Sequence, residues 1–407
     1  MRKKEKINAP KIRFDGFDDD WEQRNILEIC KVFIGLVTTM TENYRKTGTL
    51  LIRNSDIKEN KFKFIEQPIH LDESFAERNN SRRLSIGDVI TVHTGDVGTS
   101  AVITEKEKGA IGFATINSRP NPEFIDSEYL ATFLNTERHK NYAVKMSTGD
   151  GRSNYNLKDF NRLIVPVPTL EEQIKIGEFF KKIENTIALH QEKLNNLKLM
   201  KKAFLQVLFP QMGETEPRVR FANFDSKWEQ RKLKDIADFN PKSNLPEQFE
   251  YVDLESVVGT ELISHRTENK DTAPSRAKRL AQKGDVFFQT VRPYQKNNYL
   301  FDLTLNNYVF STGYAQLRPK VDSHFLLSRI QEERFISSVL DRSTGTSYPA
   351  INSNDLAQIE VDVPLEKTEQ TKMGILFKKL DDVIALYQTK LEKLQSLKKA
   401  YLHKMFI

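Results

Sequence analysis

The sequence is almost without cysteine. Cys30 is the only one in 407 residues, so no intrachain disulfide can form and nothing points to an oxidising compartment. No apolar run approaches the roughly 20 residues that span a bilayer. The N-terminus, MRKKEKINAPKIRF, is basic but lacks the apolar core of a secretory signal. A cytoplasmic protein is expected, with residues 1–12 forming a solvated basic tail. There is no Gly-x-x-x-x-Gly-Lys-Ser/Thr loop to cradle a nucleoside triphosphate, and no Gly-x-Gly-x-x-Gly after a strand. The seven histidines are scattered, no His/Cys cluster has metal-ligand spacing, and no Gly-x-Ser-x-Gly elbow occurs. Charge of one sign is also scarce. The 62 Lys and Arg against 56 Asp and Glu leave +6, which is compatible with nucleic acid without requiring it. One fragment looks catalytic: Asp253 followed by Glu268-Asn269-Lys270, an acid and an acid-x-Lys that could hold Mg²⁺ for phosphodiester hydrolysis. Such triplets are common by chance, and no set with this spacing occurs in the first half of the chain.

What is present is a repeat. Ile176, Phe180, Ile183, Ile187, His190, Leu194, Leu197, Lys201, Phe204 and Leu208 follow one another at alternating spacings of four and three. This is the a/d seam of a coiled coil, and a lone seam needs a partner helix to be buried. Met373, Phe377, Leu380, Ile384, Tyr387, Leu391, Leu394, Lys398, Tyr401 and Met405 repeat it, each 197 residues further on. The two long helices are expected to pack on each other. The polar seam residues His190 and Lys201 fit register-fixing positions whose stems pack and whose tips reach solvent. Glu171 and Glu172 fall in the first turn, where an acid suits the helix dipole.

The repeat extends beyond the helices. RFDGFDDDWEQRNILEI from Arg13 returns as RFANFDSKWEQRKLKDI from Arg220, with Trp21 and Trp228 in register. Gly87-Asp88 returns as Gly284-Asp285, and STGDGRSNYN (147–156) as STGTSYPAIN (343–352). Short β-branched and aromatic runs read as strands at 49–53, 62–65, 88–93, 100–104, 111–116, 285–291, 308–312 and 314–319. A helix is expected at 127–146 and again at 323–341. The fold class is therefore α+β. Two mixed domains, 13–167 and 211–364, are joined by long helices at 168–210 and 365–407 that pack antiparallel with pseudo-two-fold symmetry. The ends of the copies are alike and their middles differ, as expected for two different reading heads on one symmetric frame.

Three kinds of loop carry nucleic-acid chemistry. VHTGDVGTS (92–100) offers His93, Thr94, Thr99 and Ser100 on a Gly-rich turn. QTVRPYQKNN (289–298) offers Gln289, Arg292, Tyr294, Gln295, Lys296 and Asn297; Arg, Gln and Asn can contact base edges at two points. The Ser-Thr-Gly loops offer Arg152, Asn154, Ser347 and Tyr348. Any one of these could be an ordinary solvated turn residue; the argument rests on the set, which recurs at matching places in both copies.

With these features together, the chain resembles the specificity (S) subunit of type I restriction–modification enzymes. The likeness is carried by the two Arg-Phe…Trp segments, the Gly-Asp turns, the Ser-Thr-Gly…Asn loops, and IVPVPTLEEQIKIGEFFKKIENTIALHQEKL with its C-terminal echo. The second copy departs, with VPLEKTEQTKMG in place of VPTLEEQIKIG. The resemblance implies two target-recognition domains, each reading half of a bipartite site on double-stranded DNA, and helices that set the spacer. It implies a non-catalytic chain without cofactor of its own, around which methylating (M) subunits, two of them, and restriction (R) subunits assemble. S-adenosylmethionine, ATP and Mg²⁺ would belong to those partners. The competing readings are a coiled-coil adaptor that does not bind DNA and a Mg²⁺-dependent nuclease.

Overall fold

The computed structural model describes residues 9–148, 153–211 and 213–406. They form two compact units, Met1–Gln191 with Thr389–Ile407, and Glu192–Gln388. The long helices, Leu170–Val207 and Lys367–Met405, are each divided between the units near their middles.

In the first unit, Glu22–Asn25 pairs antiparallel with Ile164–Val167, directly before the first long helix. A four-stranded sheet runs in the order Cys30–Ile34, Ile116–Pro120, Val89–Thr91, Ser100–Val102. A second sheet sets Ile111–Phe113 parallel to Thr49–Arg53, followed by His70–Leu71 and Tyr44–Arg45. The second unit repeats most of this plan. Trp228–Lys232 pairs with Glu360–Pro364; one sheet runs Ala237–Phe239, Tyr314–Pro319, Val286–Gln289, Tyr299–Leu300. In its other sheet Gln248–Val252 lies parallel to Tyr308–Ser311, flanked by Arg266–Asn269 and Ala277–Leu280. The first sheets of the two units share one strand order; the second sheets share their parallel pair and one antiparallel neighbour, but Ile111–Phe113 is an edge strand where Tyr308–Ser311 is central.

Three expected elements are divided. The run 111–116 is two strands separated at Ala114, which takes a left-handed φ of 49°. The helix expected at 127–146 is Ser127–Leu134 and Glu137–Met146. Thr136 caps the second piece by accepting from His139 N, and the Asn135 side chain is drawn away to the backbone N–H and carbonyl of Ser100 at 2.9 Å each. The helix at 323–341 divides likewise into Ser323–Ile330 and Glu333–Leu340.

The Gly-Asp turns are structural. Gly87 and Gly284 adopt φ of 84° and 93°, which favours glycine. The next residue, Asp88 or Asp285, is buried and clamped at two points by Arg119 or Arg318, with distances of 2.7–2.9 Å.

The start of each long helix is fastened to its own head by an equivalent arginine–glutamate pair and glutamine contacts. Glu172 lies in the first turn as expected and is buried there, with Arg13 Nε and Nη2 at 2.9 and 2.8 Å and Trp21 Nε1 at 3.2 Å. In the second unit Arg220 holds Glu369 at 2.7 and 2.8 Å. Gln173 and Gln370 each accept from a helix-capping aspartate N–H, Asp126 or Asp322, and donate to a preceding proline carbonyl. Gly177 and Gly374 permit the close approach. A Cβ on either would lie 2.9 or 2.4 Å from the same aspartate's Oδ1. The second copy's altered helix start, VPLEKTEQTKMG, therefore keeps every residue that makes these contacts.

The seam residues lie inward, and each is buried or half-buried. In the first unit the start of one long helix meets the end of the other: Phe179 packs on Tyr401 with centroids 5.1 Å apart, and Phe180 on Phe406 at 6.1 Å. In the second unit the end of the first meets the start of the second, with Phe209 on Phe377 at 5.8 Å. This pairing is antiparallel in each unit. The seam lysines are ion-paired across it, Lys201 with Asp381 at 2.5 Å and Lys398 with Glu184.

Candidate nucleic-acid interface

In each unit the Gly-rich or Arg-containing loop and the Ser-Thr-Gly loop are brought side by side. In the first, Thr94 bridges to Asn154, and Tyr155 N–H donates to the His93 carbonyl at 2.8 Å. In the second, Val291 bridges to Ala350, and Arg292 N–H donates to the Pro349 carbonyl at 2.8 Å. Segments about 60 residues apart in sequence thus form one surface in each head.

The first surface centres on a chain of polar groups. Thr94 Oγ1 donates to Asn154 Oδ1 at 2.8 Å and lies 2.7 Å from His93 Nδ1. With that hydroxyl proton spent on Asn154, His93 Nδ1 is the donor and Nε2 is left as an acceptor. Partial burial pushes the His93 pKa down, which favours this neutral form. Arg152 lies outside the described residues. Thr99 and Ser100 are fully buried. Ser100 Oγ is engaged by Thr91 Oγ1 and the Gly98 carbonyl, so these two shape the loop and do not reach its surface.

The second surface is built on different side chains. The Arg292 guanidinium lies 4.4 Å from the centroid of the Tyr348 ring. Arg292 itself is left-handed, with φ 54°, a costly conformation for a non-glycine residue. Tyr294 and Tyr348 are 49% and 63% exposed, and Gln295 and Ser347 are also exposed. Gln289 is buried, donating to the Val291 carbonyl and to Gln295 Oε1 at 2.6 and 2.9 Å, so it orients Gln295 from beneath. Lys296 turns away from the surface to the Gln331 carbonyl and Glu333, at 2.9 and 2.8 Å. Asn297 Oδ1 accepts from Gly259 N–H at 2.8 Å. Three of the expected contact residues here therefore hold the loop, and Arg292, Tyr294, Gln295, Ser347 and Tyr348 face out. Sequence reasoning missed the asparagines beneath: Asn54 Oδ1 receives the His93 N–H and Asn298 Oδ1 the Gln289 N–H, at 2.8 and 2.9 Å. The adjacent Asn297-Asn298 pair was visible; Asn54 carried no signal.

The nuclease fragment is assembled otherwise. Arg266 lies between its two acids, donating to Asp253 at 2.8 Å and to Glu268 at 2.7 Å, while Lys270 pairs with Glu247. A cation already neutralises both carboxylates.

The chain is thus a pair of repeated α+β heads, each fastened to long helices that pack on one another and each presenting a two-loop polar surface. The chain belongs to the family described as type I restriction modification DNA specificity domain, which matches residues 18–199 and 225–396. A Methanocaldococcus jannaschii protein provisionally named the type I restriction enzyme MjaX specificity subunit is 24% identical over 96% of this chain and 94% of its own. The MjaVIII specificity subunit of the same organism is 22% identical over 72% of each chain. The crystal structure of the S subunit of a type I restriction-modification system from M. genitalium superposes with a TM-score of 0.66, covering 98% of this chain and 99% of that one at 14% identity, a likeness of fold. No helix among the described residues is long and apolar enough to cross a membrane.

Proposed function

We propose that each head reads one half of a bipartite site on double-stranded DNA and that the helices set the distance between the halves. The observation that carries this is the recurrence of the same two-loop surface on unlike side chains: His93, Thr94 and Asn154 in one head, and Arg292, Gln295 and Tyr348 in the other. A shared frame with different polar tips is what two different half-sites require, because sequence is read by side chains at base edges and not by the backbone frame.

The helices also suit symmetric partners. Leu189 and Leu386, and Met200 and Leu397, are counterparts 197 residues apart, and all four are exposed at 39–64%. In this reading two methylating subunits dock along the helices and restriction subunits join them. The chain itself is non-catalytic and cytoplasmic, and S-adenosylmethionine, ATP and Mg²⁺ belong to the partners. Selection from a random-sequence duplex pool by the chain with its methylating partner tests this. The expected product is two short fixed sequences separated by a constant unspecified spacer. A single continuous motif, or no enrichment, would contradict it.

A further inference from the structure

In the first unit a hairpin pairs Ile57–Lys58 with Lys61–Phe62, and the register sets Lys58 opposite Lys61. Like charges directly opposite on paired strands repel. The one acid in the turn does not relieve them, since Glu59 is already bound to Lys140 at 2.5 Å and Lys398 at 3.1 Å. Lys63 follows on the same segment and is exposed. Among the described residues none of Lys58, Lys61 and Lys63 has an acidic partner within ion-pair distance.

These lysines line a cavity of about 960 Å³ whose wall also includes Asp96, from the 92–100 loop, and the exposed Arg138. The hairpin is anchored beside that loop: Asn60 N–H donates to the Ser100 carbonyl at 2.9 Å, and Asn135 Nδ2 to Asn60 Oδ1 at 2.8 Å. The second unit has a hairpin at the same place, Val257–Val258 with Glu261–Leu262, tied to its own loop through Gly259 and Asn297. Residues 257–263 contain no lysine and one glutamate, and Val258 and Ile263 are exposed.

We propose that Lys58, Lys61 and Lys63 grip DNA phosphates beside the His93–Asn154 surface, and that the second head has no equivalent grip. This rests on the DNA-reading function above. A polyanion is the ligand that turns an opposed lysine pair from a cost into a site. An acidic protein partner is disfavoured because the exposed helix positions repeat between the units whereas the hairpins do not. A partner docking twice would meet the same chemistry twice.

The test is the salt dependence of binding between a labelled random-sequence duplex and the full chain, measured alone and with its methylating partner. Each phosphate contact contributes about 0.9 to the slope of log K against log salt. The triple variant Lys58→Gln/Lys61→Gln/Lys63→Gln should lower the slope by about two to three, equally on random and selected sequences, with a melting temperature no lower than that of the unaltered chain, since the opposed lysine charges are removed. The single variants Lys61→Gln and Lys63→Gln, at exposed positions, should each lower it by about one and serve if the triple variant misfolds. DNA binding with an unchanged slope would overturn the proposal and leave the DNA-reading function standing. An unchanged slope with weakened assembly on the methylating partner would overturn it in favour of a protein site. No salt-dependent DNA binding by the unaltered chain in either setting would overturn the DNA-reading function itself.

Discussion

Arg13 and Glu172, 159 residues apart, form a two-point ion pair in which the carboxylate is fully buried, and Arg220 and Glu369 repeat it across 149 residues. Each pair ties the segment that opens a head to the first turn of a long helix. Removing one member leaves the other charge buried and uncompensated, which costs about 3–5 kcal/mol. Arg13→Ala should therefore destabilise the first unit by an amount of this order, and Arg220→Ala the second. Limited proteolysis with mass-spectrometric mapping of the first cuts checks this: each variant should expose sites in its own head. Cuts distributed alike in both variants would mean that the pairs do not stabilise the heads separately.

His139 gives the first unit a specific acid sensitivity. It is buried beside Tyr155, with Nδ1 2.6 Å from the Leu134 carbonyl, and burial pushes its pKa down from 6.5 to about 4. Above the unfolded value both states are neutral and stability does not depend on this group. As pH falls from about 6.5 towards 4, the unfolded chain takes up a proton that the folded chain refuses, so stability is lost, by about 3 kcal/mol across the window. The second unit has Phe335 at the equivalent place, and that phenylalanine is buried. His139→Phe should flatten the decline between pH 6.5 and 4 in urea unfolding of the full chain. An equally steep decline in the variant would show that other groups control the acid response.

The division of both long helices near their middles bears on how the spacer could be altered. An insertion in the first helix alone, beyond Lys202, would displace Phe209 from Phe377 and Trp228. Insertion of seven residues after Gln191 and another seven after Gln388 keeps the heptad phase and leaves the packing within each unit intact. It lengthens each helix by about 10 Å at 1.5 Å per residue, or about three base pairs at 3.4 Å each. The expected outcome is a methylated consensus with both half-sites unchanged and a spacer longer by about three base pairs. An active variant with the original spacer would show that the helices hold partners without setting the distance.

The long helices were legible because ten seam positions at strict heptad spacing, repeated 197 residues later, leave little choice of period. The lock between Arg13 and Glu172 was not, because a long-range ion pair leaves no local pattern, and Glu172 taken alone looks like an ordinary first-turn acid. Thr99 and Ser100 were placed on the surface because a hydroxyl in a Gly-rich turn reads the same whether it points out or in. Lys296 is a similar case, since a lysine in a polar loop carries no sign of the Gln331 carbonyl that it meets. The strand order of the two middles, shared in one sheet and only partly in the other, is hidden in strands of two to six residues, too short for side-chain alternation to establish register. What the sequence did locate is the loops themselves, and the structure sets each Ser-Thr-Gly segment against the other candidate loop of its own head.

The central claim is that the two heads read separately. It is tested most directly by mapping the methylated sequence for the assembled complex carrying Arg292→Ala, and again for His93→Ala. The account predicts that Arg292→Ala relaxes specificity within one half-site, at a cost of about 1–3 kcal/mol for a lost base contact, and leaves the other half-site intact. His93→Ala should act only on the opposite half. Either substitution altering both half-sites together would contradict it.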